Sequence, residues 1–512
     1  MKIKGLLLGM FACAALVACT NDELVGDNDS NKVGSDQKAY LAVNITTTGS
    51  GSRALAGFED GIGNESAVSA ARFYFFDANG NAFTVNENST NFIDVTNVSL
   101  TSDATPADNV ESTVTMLVID GGKGVPAQVV TVLNSASASL GAGSKSLSEL
   151  TSTVAAYTST GSNGFVMSNS VYADGAKVMN AVKLEPKNIC TTKEDALDAP
   201  VSIYVERVLA KVAATSKNEN NTFETGVTVG ETAIYAQIKG FQVTATKPTS
   251  YLIKNIEATW TADGLGFNWN DASNHRSYWA TSTDGEVLKN ISWADAETNA
   301  LNSVYCQENT SGEKTQLLVA AELQDKDGRM VEIAEWFGVQ YVGGEAAVKR
   351  AMLQTLTDYW YSIGDNKYSQ LTEDDLVFSK TGDIASYQVK AGLAEGEYSF
   401  FTKNGDDYTA VEKSVVETAI ANLAPAMIYK SGMTYYYTSI EHSGATGIGQ
   451  YGIVRNHSYK INISGISGLG TPVYDPDTDI VPTIPADQKT YIAATVNVLA
   501  WKIVTQDVVL GE

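Results

Sequence analysis

Tyr40-Leu41-Ala42-Val43-Asn44-Ile45-Thr46 alternates along a β-favouring run and leads into Thr48-Gly49-Ser50-Gly51-Ser52-Arg53-Ala54. Period-two alternation predicts a strand. The Gly/Ser stretch after it predicts a linker, and that linker carries a single basic residue. A loop of this kind suits an arginine-specific protease cutting between Arg53 and Ala54, although it also reads as a plain loop. The same strand signature recurs at Arg72–Phe76, Val110–Ile119, Ala127–Leu133, Phe165–Ser168, Ala181–Leu184, Val201–Ala213, Tyr235–Thr246, Thr434–Ile440 and Tyr459–Ile463. The fold class is therefore mainly β. Arg72 is a second possible cleavage point, but it lies inside a strong strand, which proteases reach poorly.

Two acidic turns resemble calcium loops. Asp77-Ala78-Asn79-Gly80-Asn81 and Asp325-Lys326-Asp327-Gly328 both lack the distal bidentate Glu and the flanking helices, so both predict hairpin turns. Two segments depart from the β pattern. Glu345–Ser362 and Val411–Leu423 place apolar residues at helical spacing, including Val348, Met352, Leu356 and Tyr359 in the first. Trp260, Trp269, Tyr278, Trp279 and Trp293 are bulky core or interface candidates.

The chain has 512 residues, 44% hydrophobic and 18% charged, enough to build two or three packed domains. Its formal net charge of -24 repels phosphate backbones and argues against a nucleic-acid partner. Three histidines, His275, His442 and His457, have no partner at metal-ligand spacing. Gly141-Ala142-Gly143-Ser144-Lys145-Ser146 fails the phosphate-loop spacing, Gly61-Ile62-Gly63 lacks the third glycine of a dinucleotide fingerprint, and no nucleophile elbow is present. The reading is a non-enzyme with no cofactor, no metal and no catalytic residues.

Both ends of the sequence are distinctive. Lys2 and Lys4 precede an apolar run from Gly5 to Val17, which closes in Leu16-Val17-Ala18-Cys19. The run is short for a membrane span and reads as a signal peptide over 1–18, with Cys19 as the lipidated residue (a palmitate-bearing lipoprotein). An acidic tether comes next. At the other end, Gly470–Pro485 carries four prolines and reads as an extended linker. Asp475, Asp477 and Asp479 within it suit either a cation or plain solvation. The stretch Thr490–Leu510 is apolar and alternating, with Ile492, Ala494, Val496, Val498 and Ala500 on one face and Trp501 and Ile503 beyond. A strand of that kind aggregates unless a groove awaits it. Cys190 and Cys306 are left either to pair or to lie buried as thiols.

These features combine into one expectation. Cutting after Arg53 frees the first strand, and the C-terminal strand of a second molecule fills the vacancy by strand addition. The contact is head to tail and so propagates as an open filament.

The chain resembles the fimbrillins of Bacteroidales type V pili, most closely the major structural subunit of the short fimbriae. The resemblance rests on Cys19, Ser52-Arg53-Ala54, Phe165-Val166-Met167-Ser168-Asn169-Ser170 and Tyr204–Val212. It rests also on Arg276–Ala280, Tyr305-Cys306-x-Glu308-Asn309-Thr310, Val454–Tyr459 and Val498–Lys502. It implies two transthyretin-like β-sandwich domains, here 54–247 and 248–470, the second with short helical insertions. A propeptide (19–53) precedes them, and a linker with donor strand (471–512) completes the chain. It implies an outer-membrane lipoprotein precursor that becomes a cell-surface fimbrium. The implied partners are further copies of the same subunit, anchor and tip accessory subunits, and an Arg-specific surface protease; the adhesion receptor is not named by it. A tip adhesin or a surface glycan-binding lipoprotein on the same fold is the alternative. Arg455 reads as either structural or interfacial, and His457 as a turn or core residue.

Overall fold

The computed structural model describes residues 38–48, 65, 67–96, 110–120, 124–134, 140–158, 164–170, 172–174, 177–255, 281–310, 312–381, 388–442, 451–480, 491–499 and 505–506. It is mainly β. In chain order, the principal strands begin with β1 (Lys38–Thr48), β2 (Ala70–Phe76), β3 (Phe92–Thr96) and β4 (Val110–Asp120). Next come β5 (Gln128–Leu133), β6 (Met167–Asn169), β7 (Ile189–Cys190) and β8 (Val201–Arg207). After these lie β9 (Leu209–Ser216), β10 (Thr222–Val229), β11 (Thr232–Thr244) and β12 (Val304–Gln307). The last four are β13 (Gln316–Gln324), β14 (Met433–Ser439), β15 (Ser458–Ser467) and β16 (Tyr491–Leu499).

The strands of the first unit are linked in the order β7-β1-β8-β6-β5-β2-β3, with β4 on the other edge of β1; β8 passes from the sheet of β1, which it pairs over Val201–Tyr204, to that of β6, which it pairs over Val205–Arg207. Its core takes Leu41 and Val43 from β1, Phe73 and Phe75 from β2, Val130 and Val132 from β5, and Ile203 and Val205 from β8. The turn after β2 is a hairpin turn, as its sequence predicts. Asp77 Oδ1 accepts from the Asn79 and Asn81 amides, and Gly80 takes φ +82°, where a side chain would be strained.

The second unit is a sandwich. One sheet runs β12-β9-β15-β16 and ends on Thr505–Gln506; the other runs β10-β11-β13-β14 and ends on Thr471–Pro472. Val212, Ile461 and Ile463 of the first sheet meet Phe241, Val243, Leu317 and Val319 of the second. Of the helices α1 (Lys193–Asp198), α2 (Trp293–Asn299), α3 (Gly344–Leu353) and α4 (Lys413–Ala421), it is α2 that packs on the second sheet's outer face. Gly240 is required beneath α2, because a Cβ there would lie 2.1 Å from the Ala296 carbonyl oxygen.

The expected break at 247–248 is not where the sheets change. Val201–Ser216 is one nearly continuous ribbon whose first half belongs to the first unit and whose second half belongs to the sandwich, with only Val208 between them. Strands β9 to β11, expected in the first domain, therefore lie in the second. The reason is pairing: β9 aligns parallel to β15 and antiparallel to β12, both from far along the chain.

The two helical insertions are parts of a separate lobe between β13 and β14. A five-stranded sheet, a four-stranded sheet, α3 and α4 enclose a core that includes Trp336, Val348, Met352, Val389, Phe400 and Ile420. The expected helix over 345–362 ends at Leu353, and Tyr359–Gly364 is a strand. Val348, Met352 and Leu356 do reach the core, but the aromatic run Tyr359-Trp360-Tyr361 favours pleated backbone.

Charged residues fill the junction between the ribbon's two halves. Arg455 and Glu308 are both fully buried and joined through Arg455 Nη2, with Arg455 Nε donating to Glu308 Oε1 at 3.0 Å. Arg455 also donates to the Leu252 and Tyr251 carbonyls, at 3.2 and 2.6 Å. Lys254 Nζ meets Glu206 at 2.9 Å and Lys211 Nζ meets Glu65 at 2.6 Å, all four buried. Arg207 Nε donates to the Glu65 carbonyl at 2.6 Å, and its Nη1 to Asn456 Oδ1 at 3.2 Å. Arg455 is thus structural, a fastener between units. His457 is a core residue: its Nδ1–H donates to the Arg455 carbonyl at 2.7 Å.

Two outcomes are expected from this junction. Arg455→Met takes from buried Glu308 its direct ion-pair partner and should cost about 3–5 kcal/mol by chemical denaturation; adding Glu308→Leu should recover most of that loss. Burial pushes the His457 pKa down from 6.5 to about 4. The unfolded imidazole therefore binds a proton that the folded one refuses, and stability falls as pH drops from 6.5 towards 4. His457→Asn should flatten that fall by about 1.4 kcal/mol per pH unit, read from urea midpoints.

Candidate functional site

Strand β1 lies inside its sheet and is paired on both edges. Along one edge it runs antiparallel to β4 over the full span Lys38↔Asp120 to Thr48↔Val110. Along the other, Tyr40 and Leu41 face Cys190 and Ile189 of β7, and Val43 to Thr46 run parallel to Val201–Tyr204 of β8. Among the described residues β4 pairs with no strand but β1. Strand β1 is thus, among the described residues, the ladder that joins β4 to the rest of the sheet.

Both faces of β1 are covered. Ala39, Leu41 and Val43 point into the core of the first unit. Ala42, with Tyr40 beside it, packs against Cys190 and Ala196 under α1. Lys193 Nζ on α1 sits 5.9 Å from the Tyr40 ring centroid. The helix is held over this strand by Thr192, whose hydroxyl accepts from the Asp195 amide as an N-cap. Removing β1 strips one wall from two hydrophobic clusters and leaves two lines of backbone donors and acceptors unpaired, at about 1–3 kcal/mol for each group that stays buried.

The C-terminal ribbon is not held out from the molecule. Strand β16 pairs antiparallel with β15, from Tyr491↔Ser467 to Leu499↔Ser458. Ile492, Ala494, Val496 and Val498 lie on it; Ala500, Trp501 and Ile503 fall outside the described residues. So do Cys19, Arg53 and Ala54, and with them Trp260, Trp269, Tyr278, Trp279 and His275.

The expected linker from 471 is also pinned as far as Ile480. Thr471–Pro472 pairs with β14, and Asp479–Ile480 pairs with Ile291–Ser292. Val473 and Ile480 are fully buried against Trp293, whose indole Nε1–H donates to the Thr434 carbonyl at 2.9 Å. Pro472 is tolerated because its strand closes the sheet's edge. Asp475 serves the turn between these bridges, accepting from the Asp477 amide and the Thr478 hydroxyl.

Cys190 and Cys306 are separate buried thiols, one on β7 beside β1 and the other in the sandwich core. Burial pushes the Cys306 thiol up to about 12. Among the described residues no cluster of three or more His, Cys, Asp or Glu side chains is arranged to hold a metal, and no helix is long and apolar enough to cross a membrane.

Residues 427–507 match the family model for the C-terminal region of fimbrillin, the major fimbrial subunit protein type IV. Over that segment the chain is similar to the fimbrillins, in agreement with the resemblance drawn from its motifs. This is a family of fimbrial subunits and not of enzymes, and the match takes in β14, β15 and β16. No curated protein matches the chain. Among solved structures, a protein provisionally described as a cell adhesion protein of Bacteroides eggerthii is 13% identical, with 92% of this chain and 98% of that one covered and a TM-score of 0.39. A protein of Parabacteroides distasonis with the same description is 12% identical, covering 91% and 98%, with a TM-score of 0.39. The tip fimbrial protein Mfa3 of Porphyromonas gingivalis, with a C-terminal truncation, is 11% identical, covering 91% and 100%, with a TM-score of 0.31.

The position of Cys190 on the strand beside β1, packed against Ala42, supplies a reporter. In the intact chain it should alkylate slowly under native conditions. In a chain beginning at Ala54 its rate should rise roughly tenfold or more, because access limits the reaction. Thiol labelling combined with mass spectrometry reads this directly.

Proposed function

We propose that the protein is the shaft subunit of a surface fimbria, exported as a lipoprotein on Cys19 and matured by cleavage between Arg53 and Ala54. It polymerises by donating its C-terminal strand to the site that β1 vacates in the next copy. The observation that carries this reading is the double pairing of β1: the strand on the leader side of Arg53 is the one on which the ladder of β4 depends. Cleavage converts a closed sheet into one with a vacancy two edges wide, and a vacancy of that kind selects an incoming strand. Each molecule then carries one vacancy and one donor at separate places, so the contact propagates. The lipid leaves with the removed strand. Anchor and tip accessory subunits and an Arg-specific surface protease are the partners this route requires.

Deleting Thr490–Glu512 should leave a folded monomer that no longer polymerises after cleavage. Arg53→Ala should leave full-length monomer, and protein recovered from surface fibres should begin at Ala54. Size-exclusion chromatography, negative-stain microscopy and N-terminal sequencing read these outcomes. A deleted chain that still forms fibres overturns the assembly role; a deleted chain that loses no surface binding indicates a tip adhesin or a glycan-binding lipoprotein instead.

A further inference from the structure

Asp36-Gln37-Lys38-Ala39-Tyr40-Leu41-Ala42 and Asp487-Gln488-Lys489-Thr490-Tyr491-Ile492-Ala493 are one heptapeptide written twice, differing only by Ala39 against Thr490 and Leu41 against Ile492. The likeness of type continues beyond it, where Val43 and Ile45 correspond to Ala494 and Val496. The first copy leads into β1 and the second into β16. We propose that the closing ribbon is a register-matched copy of the opening one. On entering the vacated site of a second molecule, it sets Tyr491 in the place of Tyr40, Ile492 in that of Leu41 and Ala493 in that of Ala42. This inference rests on the strand exchange proposed above and adds its register and direction.

The vacated site is demanding at each of these places. The place of Leu41 is fully buried in the core, and Ile492 brings a side chain of the same size to it. The place of Ala42 is fully buried against Cys190 and Ala196, and a methyl group fits there. The place of Tyr40 lies beside Lys193 of α1, and Tyr491 restores the ring. A slip of one residue turns every side chain to the opposite face. A slip of two in one direction drives Tyr491 into the place of Ala42; in the other direction it puts Ala494 in the place of Leu41 and leaves a cavity. The direction is fixed as well: β16 enters parallel to β8 and antiparallel to β4, as β1 does. In the single molecule the same ribbon is laid antiparallel on β15, so it occupies its own sheet or its neighbour's and never both.

The register can be read with a cysteine the protein already has. Tyr40 faces Cys190 across an antiparallel pair. Such pairs hold Cα atoms about 4.5–5.5 Å apart, within the span of a disulfide. Mature Tyr491→Cys protein, assembled and mildly oxidised, should give a ladder of covalent multimers on a non-reducing denaturing gel. The ladder should collapse with reductant and be absent when Cys190→Ala is added. Lys489→Cys should give none, and Ala493→Cys, whose place is the diagonal neighbour of Cys190, should give a fainter ladder than Tyr491→Cys. A ladder from either of those two instead of Tyr491→Cys overturns the register and leaves strand exchange standing. Fibres that form with no ladder from any of the three overturn strand exchange at this site itself. Should Tyr491→Cys fail to assemble, a synthetic peptide of residues 487–499 bearing Tyr491→Cys, added to the mature wild-type chain, asks the same question: a disulfide to Cys190 supports the register, and none overturns it. An independent check uses size. Ala493→Phe should abolish fibres, and Ala494→Val, which restores the side chain of Val43, should leave them intact; the opposite pattern contradicts the register.

Discussion

The constraint on which the structure turns is that a backbone edge must be paired. Among the described residues, strand β4 meets that requirement through β1 alone, and β1 meets it through β4 on one side and β7 and β8 on the other. A central strand normally holds a sheet together permanently, since removing it exposes two edges and opens the core beneath. Here the central strand is joined to the remainder of the chain by a Gly/Ser segment that carries Arg53. The loss of one peptide bond therefore decides whether an eleven-residue ladder stays covalently part of the molecule. The energy at stake is large because both faces of β1 are covered, by the core on one side and by α1 on the other.

On the proposed role the molecule must pass load from one attachment point to the other, and the ribbon Val201–Ser216 is the segment that spans both units. It crosses from the first unit to the sandwich with one residue, Val208, between its halves, and that residue is itself buried. The charges at the crossing are buried pairs with several partners each, so rotating one unit against the other would tear several ionic hydrogen bonds at once. Apolar side chains would seal the same junction with less desolvation cost. What the charged pairs add is direction: Arg455 satisfies Glu308 and two carbonyls only at one setting of the two units.

Much of this is legible in the sequence where one rule acts alone. The strands at Arg72, Val110 and Thr434 are runs rich in aromatic and β-branched residues, and the Asp77 turn obeys its Asx chemistry. Local signals mislead where tertiary pairing overrides them. Glu206, Arg207 and Lys211 look like the solvent side of a strand, yet they are buried because the ribbon is enclosed by both units. The Lys247-Pro248 turn looks like a domain boundary because it breaks a strand, whereas the actual crossing at Val208 breaks nothing. The prolines from Pro472 onward suggest a free linker, but Val473 and Ile480 are received into a cluster beside Trp293, and that burial outweighs the extended preference of the segment. The repeated Asp-Gln-Lys-x-Tyr-x-Ala is plain in the sequence; what gives it meaning is the position of its first copy, which only the topology supplies.

The position of β16 on β15 then resolves a difficulty that the sequence raises. An apolar alternating strand left bare would join any open edge it met. Laid on β15 it is kept from doing so, and the pairing is of the same kind that the vacated site offers, backbone ladder for backbone ladder. The difference between the two places lies in enclosure. On β15 the ribbon has a short strand, Thr505–Gln506, on its other edge, paired over two of the described residues. In the place of β1 it would be laddered along both edges and covered on both faces. An exchange that trades one full ladder for two runs downhill once the site is open and cannot begin before it is, because β1 already fills it. On the proposed route, cleavage at Arg53 is the step that sets the direction, and the position of β16 on β15 holds the donor in reserve until that step has occurred in a neighbour.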